Sequence, residues 1–247
     1  IVLVAGVISG ILGIVYALGQ QDLKRLLAYS SVENIGIILI GLGIGMIGVS
    51  SENPLMAVLG FTGGFFHVLN HSIFKSLLFM GAGMVLHKTG ERSIDALGGL
   101  LKNMKITGIA VIIGSLAICG LPPFNGFVGE FFIYIGGFKG VGLDNSAFAM
   151  SCFAIISLAV IGGLALACFT KVIGIAFQGE PRTKAAENAD EKGATMLLSM
   201  SILACACILI GIFPKIIIWM PIKAVSALEL GYDLSLLEPF GQMTANI

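Results

Sequence analysis

The chain has 247 residues, 57% hydrophobic and only 11% charged, with a formal net charge of zero and a mean hydropathy of +1.00. Soluble domains carry about 25% charged residues, so this composition argues against a soluble enzyme and against a disordered chain, and points to a polytopic membrane protein. A zero net charge offers no basic footprint for nucleic acid.

The chain opens on Ile1-Val2-Leu3-Val4 with no initiator Met and no charged leader. This does not resemble a signal peptide, and the expectation is a fragment that begins inside or at the edge of a spanning helix. Residues 1–19 carry no charge, 26–51 carry only Glu33, and 53–86 carry only His67, His71 and Lys75. Further on, 106–138 carry only Glu130, 145–177 only Lys171, and 193–222 only Lys215. A span needs about 20 mostly apolar residues, so the expectation is an all-α bundle of about six spanning helices. Long runs without period-2 alternation exclude a membrane barrel.

Two of these runs are unusual. Residues 53–86 are too many for a straight crossing, so tilt or a local break is expected. Residues 106–138 are interrupted by Leu121-Pro122-Pro123-Phe124-Asn125-Gly126. Two prolines remove amide donors and clash with the preceding turn, which predicts two half-helices joined by an unwound segment containing Pro122, Pro123 and Gly126. Discontinuous membrane helices mark transport sites.

Nine of the lysines and arginines, in the loops at 20–25, 88–105 and 178–194, fall on one side, against Lys139, Lys223 and the span-end Lys215 on the other. By the positive-inside rule those three loops are cytoplasmic. The loop at 178–194 mixes both signs and reads as a solvated linker. Cys119, Cys152, Cys168, Cys205 and Cys207 all lie in apolar runs without metal-site spacing, and read as small membrane-core residues.

The ionisable residues left inside the spans are the candidates for function, because each costs about 2.5–3.5 kcal/mol on insertion scales. His67, His71 and Lys75 are spaced four apart and share one helical stripe, rising about 6 Å per step. Imidazole suits a proton relay, and burial penalises the charged form of a lysine, which favours loading and release of a proton. The alternative is that the histidines are interhelical hydrogen-bond glue and Lys75 half of a buried ion pair. Glu130 follows the Pro-Pro break and reads either as a proton-exchanging carboxyl or as a hydrogen-bond partner of the unwound segment. Glu33 reads equally as a pairing partner of Lys75 or Lys24 and as a proton carrier. Lys24 stands at a helix entrance, where snorkelling competes with function. Lys171 and Lys215 read as snorkelling residues. The order along the chain permits a line from Lys24 and Glu33 through Lys75, His71 and His67 to Glu130.

Three motifs resemble one family. They are Gln21-Asp22-Leu23-Lys24-Arg25-Leu26-Leu27-Ala28-Tyr29-Ser30-Ser31, His67-Val68-Leu69-Asn70-His71-Ser72-Ile73-Phe74-Lys75, and Leu121-Pro122-Pro123-Phe124-Asn125-Gly126-Phe127-Val128-Gly129-Glu130. They resemble the antiporter-like membrane subunits of respiratory complex I, membrane-bound hydrogenases and Mrp-type sodium/proton antiporters. The stretch Ser30 to Gly36 most resembles the hydrogenase branch, that of hydrogenase-4 and formate hydrogenlyase. The resemblance implies the second five-helix inverted repeat of a larger subunit over residues 1–180, a cytoplasmic linker at 181–194, and a further spanning helix with an outer tail over 195–247. It also implies a cell (inner) membrane location and proton translocation. Lys75 would be the central lysine, His67 and His71 its relay neighbours, Glu130 the terminal acidic group and Lys24 a further family lysine. The chain has no flavin, iron–sulfur or nickel ligand set, so no cofactor is expected in it and redox chemistry falls to partner membrane subunits. The alternatives are exchange of sodium for protons, and a structural membrane anchor.

Overall fold

A computed structural model describes residues 1–143 and 145–231; the outer tail expected beyond Gly231 lies outside the described residues. Ten helices follow in order among those residues: α1 (Val2–Leu18), α2 (Leu23–Ser50), α3 (Pro54–Thr89), α4 (Leu100–Asn103), α5 (Lys105–Ile118), α6 (Asn125–Gly140), α7 (Asn145–Val172), α8 (Lys184–Glu187), α9 (Ala194–Ile212) and α10 (Trp219–Ser226). Among them α2, α3, α7 with its π-helical extension Ile173–Phe177, and α9 are long and apolar enough to cross a membrane. The shorter α1 and the pair α5 and α6, two halves of one interrupted crossing, complete the six expected spans.

Local chemistry sets the helix starts. The Asp22 carboxylate accepts from the Arg25 N–H at 2.9 Å and opens α2. Asn53 does the same for Met56 at 3.0 Å, with Pro54 at the first position of α3; each cap contributes about 1 kcal/mol. Helix α3 then runs unbroken for 36 residues, about 54 Å at 1.5 Å per residue. Its excess length is taken up without a local break.

Helices α1 and α2 touch backbone to backbone. A Cβ on Gly36 would run into Gly10, and one on Gly13 into the backbone of Glu33. Lipid gives helices no hydrophobic drive to associate, so such close approach supplies the dispersion contact that holds them. Helix α3 packs between α2 and α6, and α7 closes on α1 and α6.

The break between α5 and α6 forms as expected. Gly120, at φ 62°, ends α5 in a Schellman turn: its N–H donates to the Ala117 carbonyl and the Leu121 N–H to Leu116, both at 3.2 Å. A Cβ on Gly126 would strike the Ala117 carbonyl, and one on Gly211 of α9 would strike that of Pro123, so α9 lies directly over the unwound segment.

Lys171 differs from the snorkelling expectation. Its ammonium donates to the carbonyls of Leu18, at the end of α1, and of Gln20, in the loop beyond, at 2.7 and 2.8 Å, because carbonyls at a helix end have no partner within the helix. Lys215 is exposed, as expected.

The loops at 20–25, 88–105 and 178–194 gather at one end of the bundle, where Leu23 N–H donates to Arg92 O, Ile94 N–H to Gln21 O and Gly99 N–H to Gln178 O. The segment 178–194 is largely exposed, as expected of a solvated linker, but is laced to the neighbouring loops as a strap. Arg182 Nη1 donates to the carbonyls of Leu97 and Ile175, and Thr183 Oγ1 to Ala96. Glu180 pairs with Lys102 at 2.6 Å, and Asp190 takes both Lys88 and Lys192. The reason is α5, which has no side-chain cap of its own at its start; the Glu191 carboxylate supplies one, accepting from Ile106 and Thr107 N–H at 3.0 and 2.6 Å.

Hydrogen bonds from Lys192 and Lys88 hold the Asp190 carboxyl down at about 2, against an ordinary 3.8. A depressed carboxyl contributes above its ordinary value and loses that contribution as pH falls through the folded-state value. Protection from hydrogen exchange across residues 178–193, taken relative to the intrinsic rate at each pH, is therefore expected to hold from neutral pH down to about 4 and to fall between there and about 2. Asp190→Asn is expected to accelerate it at pH 7 without exposing α2 or α3; an unchanged exchange pattern would rule out the lacing.

Candidate functional site

The site grows from the face of α3 that meets α2 and α6. Glu33 and His67 are fully buried, Lys75 is 5% exposed and Glu130 9%; His71 is half-buried and Lys24 exposed. The structure thus brings Glu33, His67, His71, Lys75 and Glu130 into one buried band and leaves Lys24 outside it, at the loop end of α2.

Lys75 is held by α2. Its ammonium donates to the Leu27 carbonyl at 2.8 Å and to Ser30 Oγ at 2.5 Å. The expected pairing of Glu33 with Lys75 or Lys24 is not formed. Among the described residues the ion pairs all lie at the loop end, at Lys88, Lys102 and Lys192. Oxygens one turn before Glu33 satisfy the ammonium first, and Lys24 faces outward. Glu33 Oε2 instead accepts from Asn34 Nδ2 at 3.2 Å, and Asn34 Oδ1 lies 3.1 Å from His67 Nε2. Phe74 is wedged edge-on against both imidazoles, with ring centres 6.1 and 5.7 Å away.

Helix α6 carries the far end of the band. Asn125 opens it and is tied to α3 by a reciprocal carboxamide contact: Asn70 Nδ2 donates to Asn125 O at 2.8 Å, and Asn125 Nδ2 to Asn70 Oδ1 at 3.3 Å. A Cβ on Gly129 would lie 3.1 Å from His67 Nδ1, so the first turn of α6 sits on the imidazole. One residue on, the Glu130 carboxyl lies against Gly120 and opens on a cavity of about 280 Å³ between α6 and α7, flanked by Tyr134, Gly162 and Gly163. Three atoms of the band, Glu33 Oε1, His67 Nδ1 and His71 Nε2, are buried without a hydrogen-bond partner among the described residues.

Sequence reasoning missed Asn34, Ser30, Asn70, Asn125 and Gly120 as parts of the site. Ser30 and Asn34 stand four apart beside Glu33, and Asn70 shares the histidine stripe. Neutral polar residues at helical spacing beside a buried charge were the available signal. Cys207 is buried and Cys205, two residues away on another face of α9, is exposed.

These features define a polytopic membrane helix bundle with a discontinuous helix and a buried band of titratable groups. The chain belongs to the NADH:quinone oxidoreductase/Mrp antiporter transmembrane family, which residues 1–162 match. It is 44% identical over 213 residues to hydrogenase-4 component B of Escherichia coli K12, covering 86% of this chain and 32% of that protein. It is 48% identical over 214 residues to formate hydrogenlyase subunit 3 of the same organism, covering 85% and 34%. The chain therefore spans about a third of the length of these curated relatives. Its fold also matches a subunit of the Mrp complex of Dietzia sp. DQ12-45-1b, with a TM-score of 0.74 at 20% identity, over 98% of this chain and 49% of that one.

Gly120 is constrained twice, by its left-handed backbone and by the Glu130 oxygens 2.6 and 2.7 Å from where a Cβ would stand. Gly120→Ala is expected to cost ~1–3 kcal/mol from the backbone alone and to displace the Glu130 carboxyl. Gly142→Ala, with open space around it, is expected to be neutral. Thermal unfolding of the two variants checks this; equal midpoints would show that Gly120 is replaceable.

Proposed function

We propose that this chain is part of an antiporter-like subunit that moves protons across a cell (inner) membrane, within a hydrogenase or a complex I-like assembly. The observation that carries the reading is the buried band from Lys75 and Glu33 through His71 and His67 to Glu130, ending on a broken helix. Buried ionisable groups in a membrane are expensive to keep and mark ion pathways, and unwound backbone at membrane depth marks a transport site. The relatives' names place them in hydrogenase, formate hydrogenlyase and sodium/proton antiporter systems.

In this reading the loops at 20–25, 88–105 and 178–194 face the cytoplasm. A change of charge in a neighbouring membrane subunit alters the protonation of Lys75. The proton then passes along the stripe of His71 and His67 toward Glu130, which exchanges it through the cavity beside α7. Lys24 serves at the entrance, where its exposure suits proton uptake from water. Redox chemistry belongs to the partner subunits, and this chain holds no cofactor of its own.

The test is proton pumping by vesicles that carry the complete complex. Lys75→Ala and Glu130→Gln are each expected to lower the proton gradient formed per turnover by about tenfold, equivalent to ~1.4 kcal/mol on the limiting step. Unchanged pumping in correctly assembled complexes would leave the chain a structural anchor. A gradient that requires sodium would make it a sodium/proton exchanger.

A further inference from the structure

The carboxamide of Asn34 joins two titratable groups on different helices, and its orientation is settled by a third. Its Nδ2 lies 2.9 Å from the Ser30 carbonyl and 3.2 Å from Glu33 Oε2. A backbone carbonyl can only accept, so the amide nitrogen must face it and the amide oxygen must face His67 Nε2, 3.1 Å away. An amide oxygen is also an acceptor only, so Nε2 carries the ring proton. A neutral imidazole has one N–H, which leaves Nδ1 as a bare acceptor. Nδ1 is buried without a partner among the described residues and faces Gly129 of the broken helix, where a Cβ would stand 3.1 Å from it.

We propose that Asn34 is a positioning residue that locks His67 in the Nε2–H tautomer, so that His67 takes up and releases protons through Nδ1 alone, on the side of the broken helix. A proton arriving at Nδ1 makes an imidazolium. Its Nε2 proton has no route onward, because a carboxamide oxygen is too weak a base to accept it, so the same charge leaves again from Nδ1. Glu33, on the other side of the carboxamide, is separated from His67 by a group that transmits charge but not protons. The carboxamide thus prevents a proton short circuit between Glu33 and His67.

The consequence for pumping rests on the proton translocation proposed above; the tautomer does not. The experiment uses the intact complex in lipid vesicles, labelled with ¹⁵N-histidine, with the His67 signals assigned by their loss in His67→Gln. Expected is a single neutral Nε2–H signature for His67 in the native complex and a mixture of tautomers in Asn34→Leu. An Nδ1–H signature in the native complex, or an unchanged signature in Asn34→Leu, would overturn the proposal. Should Asn34→Leu fail to assemble, the native signature and the near-isosteric Asn34→Asp decide. The added carboxylate can accept the Nε2 proton, so Asn34→Asp is expected to lower protons moved per turnover several-fold. Native-like coupling in Asn34→Asp would overturn the positioning role. Absence of pumping in the native complex would instead refute proton translocation and leave the tautomer result standing.

Discussion

An ammonium group out of water must find oxygens, and in this protein the seating of Lys75 on α2 is the contact around which the rest is arranged. The Leu27 carbonyl and Ser30 hydroxyl that receive it lie one turn from Glu33 and Asn34, so the helix that satisfies the cation also carries the acid and the amide facing the imidazoles. That contact requires α2 and α3 to run closely side by side. Glycines provide the clearance: a Cβ on Gly60 would strike Gly45, and one on Gly48 would strike Ala57. Neutral oxygens, rather than a carboxylate, hold the lysine. A direct buried ion pair tends to fix both charges, whereas a cation on hydroxyl and carbonyl dipoles can lose its proton without leaving an anion behind.

The broken helix solves the opposite problem. Unwound backbone at membrane depth is tolerated where protein buries it. Here the Schellman turn at Gly120 satisfies the last carbonyls of α5, Asn70 takes the Asn125 carbonyl, and α9 lies across Pro123. The break can therefore present a carboxyl, Glu130, beside the imidazole stripe without stranding the amides around it.

Much of this was legible in the order of residues. Charge-free runs separated the spans, Pro122 and Pro123 located the break, and four-residue spacing put His67, His71 and Lys75 on one face. These are local signals, set by helix geometry and proline chemistry. What escaped depends on which helices meet. No spacing rule tells that Lys75 chooses Ser30 over Glu33, that Lys171 reaches the end of α1, or that Glu191 caps a helix 85 residues earlier in the chain. The strap mixes charges of both signs, which reads as solvated, yet Glu180 and Asp190 are matched to Lys102 and Lys88 on another loop, which a reading of one segment at a time does not see.

The position of α9 has a bearing on what counts as the functional unit. The family match ends at residue 162, before α9 begins at Ala194, yet Gly211 of that helix lies against the Pro123 carbonyl. Without α9 the Pro123 carbonyl would lose the helix that covers it. The strap that delivers α9, laced across the loop end, works as a tether that keeps the insulation of the break in register with the carboxyl beneath it.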